Sequence, residues 1–202
     1  MRILRVLEER ILPILFLLLL MLAFDTAWVT VLTLLVAAIH ELGHIGAAIL
    51  LGVGDMSMPT AVLTGLRIRP SRLLSYREEV IIAMGGPLAN ILLFLLLLPV
   101  IKSSEYVFTL ALINLFTAIS NLIPIRGWDG HRILIGLLAT RLSPEALDTV
   151  AHVLTLTLSA TATLISLLFM MQIGEGYWIF SVFFVILCRE ILDNRKFTKR
   201  EN

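Results

Sequence analysis

The sequence predicts an all-α polytopic membrane protein of six transmembrane helices, interrupted by one small β-hairpin. Three observations carry that prediction: a surplus of apolar residues, six apolar stretches of roughly spanning length, and a one-sided distribution of basic charge. Of the 202 residues, 58% are hydrophobic and 15% charged, with a mean hydropathy of +0.95. A soluble domain carries about 25% charge and less than half apolar residues, because its surface must still be dressed in polar groups. This composition excludes a soluble globular enzyme and a disordered chain. Cys188 is the single cysteine, so no intrachain disulfide forms and a secreted disulfide scaffold is excluded as well. A net charge of +1 provides no basic footprint for nucleic acid.

A helix crossing the bilayer needs about 20 mostly apolar residues. The first candidate is 11–24, extendable to 28, and the second is 29–51. The third and fourth are 80–101 and 106–125, and the fifth and sixth are 149–171 and 177–191. Arg2, Arg5 and Arg10 precede the first run, but no small-residue cleavage site follows it, so it reads as an uncleaved span. With the N-terminus in the cytoplasm, alternation of the loops puts all but Lys102 of the 16 lysines and arginines on the cytoplasmic side. That asymmetry is what the positive-inside rule demands, and it collapses if any one span is dropped. Both termini are then cytoplasmic.

The outer connections, near Asp25, Lys102 and Gln172, are tight turns. The two long connections are cytoplasmic. In the first, Met56, Met58, Ala61, Leu63, Leu66 and Ile68 alternate with polar residues around Pro59 and Gly65, a hairpin pattern. In the second, Ser143, Pro144 and Glu145 supply an N-cap, a first-turn proline and a first-turn acid for the fifth helix.

The second span contains His40-Glu41-Leu42-Gly43-His44. Histidines at i and i+4 stand one above the other on a helix, so both imidazoles reach a single metal ion. The intervening Glu41 is placed to act as a general base toward water. An ionisable residue at a helix centre costs about 2.5–3.5 kcal/mol to insert, so three within five residues point to ligation or function. A catalytic zinc takes three protein ligands, and Asp129 is the acid best placed to supply the third. Pro124 ends the fourth span, and Gly127 and Gly130 let the chain turn back toward the membrane. Spacing alone leaves Asp129 open between a metal ligand and an ordinary helix-capping aspartate. His131, two residues beyond Asp129, is a rival or auxiliary ligand, though a lone histidine after a turn is more often a surface or interface residue, as is His152. Asn90, Asn114, Ser120 and Asn121 are candidates to line a polar pocket, because amides facing lipid would be left unpaired; interhelical hydrogen bonding is the other reading for each asparagine. Gly43 with Ala47, and Gly86 with Asn90, allow close helix approach. The threonines and serines of the fifth span read as bonded to their own carbonyls.

HELGH within a transmembrane helix, followed by Asn121-x-x-Pro124-x-x-x-x-Asp129-Gly130, resembles the site-2 protease family of intramembrane zinc metalloproteases. The match covers residues 29–130, which resembles the family's three-helix catalytic core, with 11–28 and 144–193 as accessory helices of a single membrane-embedded peptidase domain. The resemblance implies one Zn2+ held by His40, His44 and Asp129, with Glu41 as the catalytic base. Gly85-Gly86-Pro87-Leu88-Ala89-Asn90 is similar to the glycine–proline motif beside the family's active site, and the hairpin at 56–68 to its membrane-re-entrant β segment. On this basis Asn121, Asn90, Gly86 and Pro124 are expected on the substrate side of the site. The small six-span plan with cytoplasmic ends and no PDZ domain is most similar to the sporulation branch of stage IV sporulation protein FB, whose members process a membrane-associated pro-sigma factor. The lack of a CBS domain departs from that branch's typical member. Expected partners are the lipid bilayer, a transmembrane or membrane-associated protein substrate and a regulatory membrane protein, in a bacterial cell membrane. A polytopic metal-ion transporter using the same ligands is the main alternative. Transporters often show internal repeats, whereas these ligands lie in one half of the chain.

Overall fold

The computed structural model describes residues 27–53, 73–173 and 177–198. The predicted first span at 11–24 and the hairpin at 56–68 lie outside the described residues, among which every regular element is helical. The order is α1 (Ala27–Leu50), α2 (Tyr76–Leu97, extended by a 3-10 turn over Leu98–Val100), α3 (Glu105–Asn121), α4 (Asp129–Leu138), α5 (Pro144–Ile173) and α6 (Tyr177–Thr198). By length and composition, Ala27–Leu50, Tyr76–Val100 and Pro144–Gln172 can cross a membrane. Their large apolar side chains point outward: Leu34, Leu42, Leu92, Leu96, Leu164 and Ile165 are all exposed, while small or polar residues such as Ala83, Ala111, Ala118, Asn90 and Asn114 fill the interior. This inversion of the soluble pattern fits an integral membrane protein whose helices bury little apolar bulk against one another.

Helix boundaries follow local chemistry. α2 begins four residues before the apolar stretch, because Ser75 and Glu78 form a capping box: Ser75 Oγ accepts from the Glu78 amide at 3.3 Å and the Ser75 amide donates to Glu78 Oε2 at 2.9 Å. Ser143 caps α5 as expected, accepting from the Ala146 amide at 3.3 Å. α3 stops at Asn121, ahead of Pro124. The predicted fourth span therefore ends short, and α4 is a separate ten-residue helix that the apolar pattern does not announce.

α1, α2 and α3 pack on one another. The closest approach joins α1 to α2 at Gly43 and Gly85, where a Cβ on Gly85 would stand 2.5 Å from the Gly43 carbonyl oxygen. Backbone contact of this kind replaces the missing hydrophobic drive between helices in lipid. α4 lies against the first turns of α2, its Gly136 leaving room for Val80. α5 and α6 form a second, tightly packed pair.

Candidate metal centre

His40 and His44 fall on the buried face of α1, 6% and 8% exposed, in a helix otherwise rich in outward-facing leucine. Their rings meet edge to face at 87° with centroids 4.8 Å apart, and the two Nε2 atoms are separated by 3.2 Å. Asp129 Oδ2 lies 2.9 Å from His40 Nε2 and 3.2 Å from His44 Nε2. Its other oxygen faces Arg132 Nη1 at 3.6 Å.

The chain delivers Asp129 to this point by a sharp reversal. Ile125 is buried behind Pro124, and Gly127 takes φ +94°, a left-handed conformation that side-chain-bearing residues rarely adopt. A Cβ on Gly130 would collide with the Leu122 carbonyl, so only glycine lets the first turn of α4 close onto the end of α3. Of the two readings of Asp129 left open by its spacing, the helix-capping one does not hold, because Asp129 is not the cap of α4. It is the first residue of α4, where the helix dipole favours an anion, and it also reaches both imidazoles. The preceding cap position belongs to Trp128, which makes no side-chain cap.

Behind the ligands, α2 sets the rings. His44 Nδ1 donates to the Ile82 carbonyl at 2.7 Å, with the Gly86 amide 3.2 Å from the same nitrogen. A proton on Nδ1 leaves the Nε2 lone pair free to face Asp129, the arrangement a ligating histidine requires. Gly86 is the floor of the site: a Cβ there would stand 2.5 Å from His44 Nε2 and 2.6 Å from His40 Nε2. Asn90, fully buried, places Nδ2 3.4 Å from His40 Nδ1, while its Oδ1 has no hydrogen-bond partner among the described residues.

The donor set suits a metal. One atom from each of His40, His44 and Asp129 lies within 4.8 Å of the others, and the particular separations of 2.9, 3.2 and 3.2 Å approach the edge of about 3.3 Å expected for a tetrahedron with ligands at about 2.0–2.1 Å, as around zinc. Two neutral imidazoles and one carboxylate are also a known catalytic zinc set.

A cavity of about 250 Å³ opens at the ligands, lined by Ala37, Glu41, Thr117, Asn121 and Gly127 besides the three ligands themselves. Glu41 and Asn121 are therefore on the cavity wall, and Asn121 spends one amide N–H on the Thr117 carbonyl at 2.9 Å. Of the residues expected on the substrate side, Gly86 and Asn90 lie behind the histidines, and Pro124 lies in the turn that ends α3; none of the three lines the cavity. Asn114, a candidate for the pocket, is fully buried and donates to the Leu110 carbonyl of its own helix at 2.8 Å. His131 stays outside the ligand cluster. Burial, reinforced by the nearby Arg126 guanidinium, pushes its imidazole below the ordinary histidine range, so it is neutral at pH 7. His152 pairs with Glu190 far along the chain. Thr117 was not singled out by sequence reasoning; its position one turn before Asn121 on α3 is the signal that places it on the same wall.

No protein-family model matches the sequence, and no curated protein matches it. Among solved structures, the chain is similar to the site-2 protease from Methanocaldococcus jannaschii, with a TM-score of 0.61 and 23% identity over 90% of this chain and 86% of that one. The likeness is one of fold alone.

Proposed function

We propose that this chain is an intramembrane zinc metalloprotease of the site-2 protease type, hydrolysing a peptide bond in or near a transmembrane or membrane-associated segment of a protein substrate. The observation that carries this reading is the convergence of His40, His44 and Asp129 on one point, with Glu41 on the wall of the same cavity. Zinc held there supplies Lewis acidity, lowering the pKa of water and polarising the scissile carbonyl. Glu41 takes a proton from the attacking water and returns it to the leaving amine, so that one water is consumed and one acid and one amine appear. Asn121 has a second amide N–H to offer the substrate carbonyl as charge develops on its oxygen. Asn90 serves the site from behind, its side-chain amide lying against His40 Nδ1 and fixing how the ring is turned. Gly86 and Pro124 act by shape, one by leaving space under the imidazoles and the other by ending α3 where the ligand turn begins.

The wider reading has six spans with cytoplasmic termini in a bacterial membrane, supported by the charge asymmetry of the loops. The residues at 56–68 pair with locally unwound substrate as an added strand. The product is a released transcription factor, with a membrane-tethered pro-sigma factor as the substrate the sequence resemblance favours and a regulatory membrane protein controlling access. The test is co-expression with candidate membrane-tethered transcription factors. Glu41→Gln should reduce cleavage by about 100-fold or more while zinc is retained, the usual scale for losing a general base. Undiminished cleavage by that variant, or zinc flux across vesicles that ignores it, overturns the reading.

A further inference from the structure

A second group of ionisable side chains, with Glu190 buried at its centre, surrounds the turn that carries Asp129. Arg126 Nη1 lies 3.1 Å from Glu190 Oε1 on α6, and Nη2 lies 2.5 Å from Asp148 Oδ1 and 3.0 Å from the Asp148 carbonyl on α5. The Arg126 amide donates to Thr155 Oγ1 at 3.0 Å. Glu190, only 5% exposed, also accepts from His152 Nδ1 at 2.6 Å. Two residues beyond Arg126, the Trp128 ring packs on Phe183 with centroids 5.8 Å apart. Phe183 and Glu190 are seven residues apart, so they share one face of α6. Between the two anchored residues stands Gly127, and none of the described residues beyond its chain neighbours lies within 4 Å of the place its Cβ would occupy. The kink is therefore held by its neighbours on either side rather than wedged directly.

We infer that α6 sets the position of the third metal ligand: Glu190, through Arg126, and Phe183, through Trp128, clamp the Gly127 turn that presents Asp129, which makes Glu190 a positioning residue of the metal centre. This rests on the metal-site reading above. The pattern has a physical logic. A buried carboxylate among apolar helices is costly unless a cation and further hydrogen bonds satisfy it, and here the cation comes from the ligand turn itself. Docking of the α5–α6 pair and placement of Asp129 are consequently one event, and Asp129 cannot swing away from His40 and His44 without stripping Glu190 of its guanidinium.

The experiment measures two quantities on full-length protein in detergent: zinc affinity, by competition with a chromophoric chelator, and amide hydrogen exchange of residues 125–130 in chelator-stripped protein. Glu190→Ala should weaken zinc about tenfold or more, the scale of lost ligand-supporting contacts, and should speed exchange at the turn while α1 and α2 exchange as before. Glu190→Gln, which keeps an acceptor for Arg126, should recover most of both effects. Phe183→Ala tests the other anchor with the charges still paired, and reads the clamp even if Glu190→Ala fails to fold. Zinc affinity and turn exchange that are unchanged in Phe183→Ala, and in Glu190→Ala where that variant folds, overturn the clamp. If the unsubstituted protein takes up no zinc, the protease reading fails, and the exchange measurement still decides whether α6 holds the turn.

Discussion

Two buried clusters in this molecule start from the same pair of groups and end differently. At the metal centre a histidine meets a carboxylate at 2.9 Å, His40 with Asp129; at the α5–α6 pair another does so at 2.6 Å, His152 with Glu190. The second cluster is closed. Arg126 supplies the opposing charge, and Glu190 is enclosed by partners. The first is open: two imidazole nitrogens and one carboxylate oxygen point at a common spot beside a cavity, and the nearest guanidinium, Arg132, lies 3.6 Å from the far oxygen of Asp129. A buried histidine–carboxylate contact is thus no site by itself. What distinguishes a metal centre is donor atoms left facing one another with space beside them, while the one guanidinium paired with Asp129 sits on its other oxygen.

The sharpest way to break the comparison is to remove one carboxylate from each cluster. Asp129→Ala should abolish zinc retention, whereas Asp148→Ala, whose side chain is 60% exposed, should leave zinc bound; metal analysis of the purified proteins separates the two. Gly86→Ala comes next. Alanine favours a helix by about 1 kcal/mol over glycine, so circular dichroism should be unchanged, yet the new methyl would stand about where the two Nε2 atoms converge, and zinc should be lost. Asn90→Ala should weaken zinc by about 10–100-fold, since it deprives His40 of its support without touching a ligand. The smallest effect belongs to Ser75→Ala: removal of the capping box at the start of α2 should cost about 1 kcal/mol in unfolding measurements and leave zinc affinity alone.

Much of the site was legible in the chain because its chemistry is local. His40 and His44 lie one helical turn apart, so their shared face needs no tertiary information. Pro124, Gly127 and Gly130 announce a reversal, and Ser143-Pro144-Glu145 announces the start of α5; both are short-range signals that the structure bears out. The capping box of α2 was equally local, in Ser75 and Glu78, but the apolar stretch beginning at residue 80 drew attention away from it. Glu190 was obscured for a different reason. It sits at the very end of the predicted sixth span, with Arg189 beside it and a charged segment following, and only the approach of Arg126 from 64 positions earlier marks it as a buried partner. Thr155 was likewise indistinguishable from the threonines around it, which bond to carbonyls of their own helix, until the Arg126 amide was found on its hydroxyl.

Hydropathy and the 3.6-residue period suffice to immerse these helices in lipid and to stand two imidazoles on one face, because both depend only on neighbours within a few turns. Whether the aspartate 89 positions beyond His40 meets those imidazoles is another matter. It depends on how closely α1 and α2 approach at Gly43 and Gly85, on the left-handed bend at Gly127, and on the grip of α6 on the residues flanking that bend. The bend is signalled by its own glycine, but the helix approach and the grip of α6 are relations between distant segments that no local pattern encodes, and packing decided them.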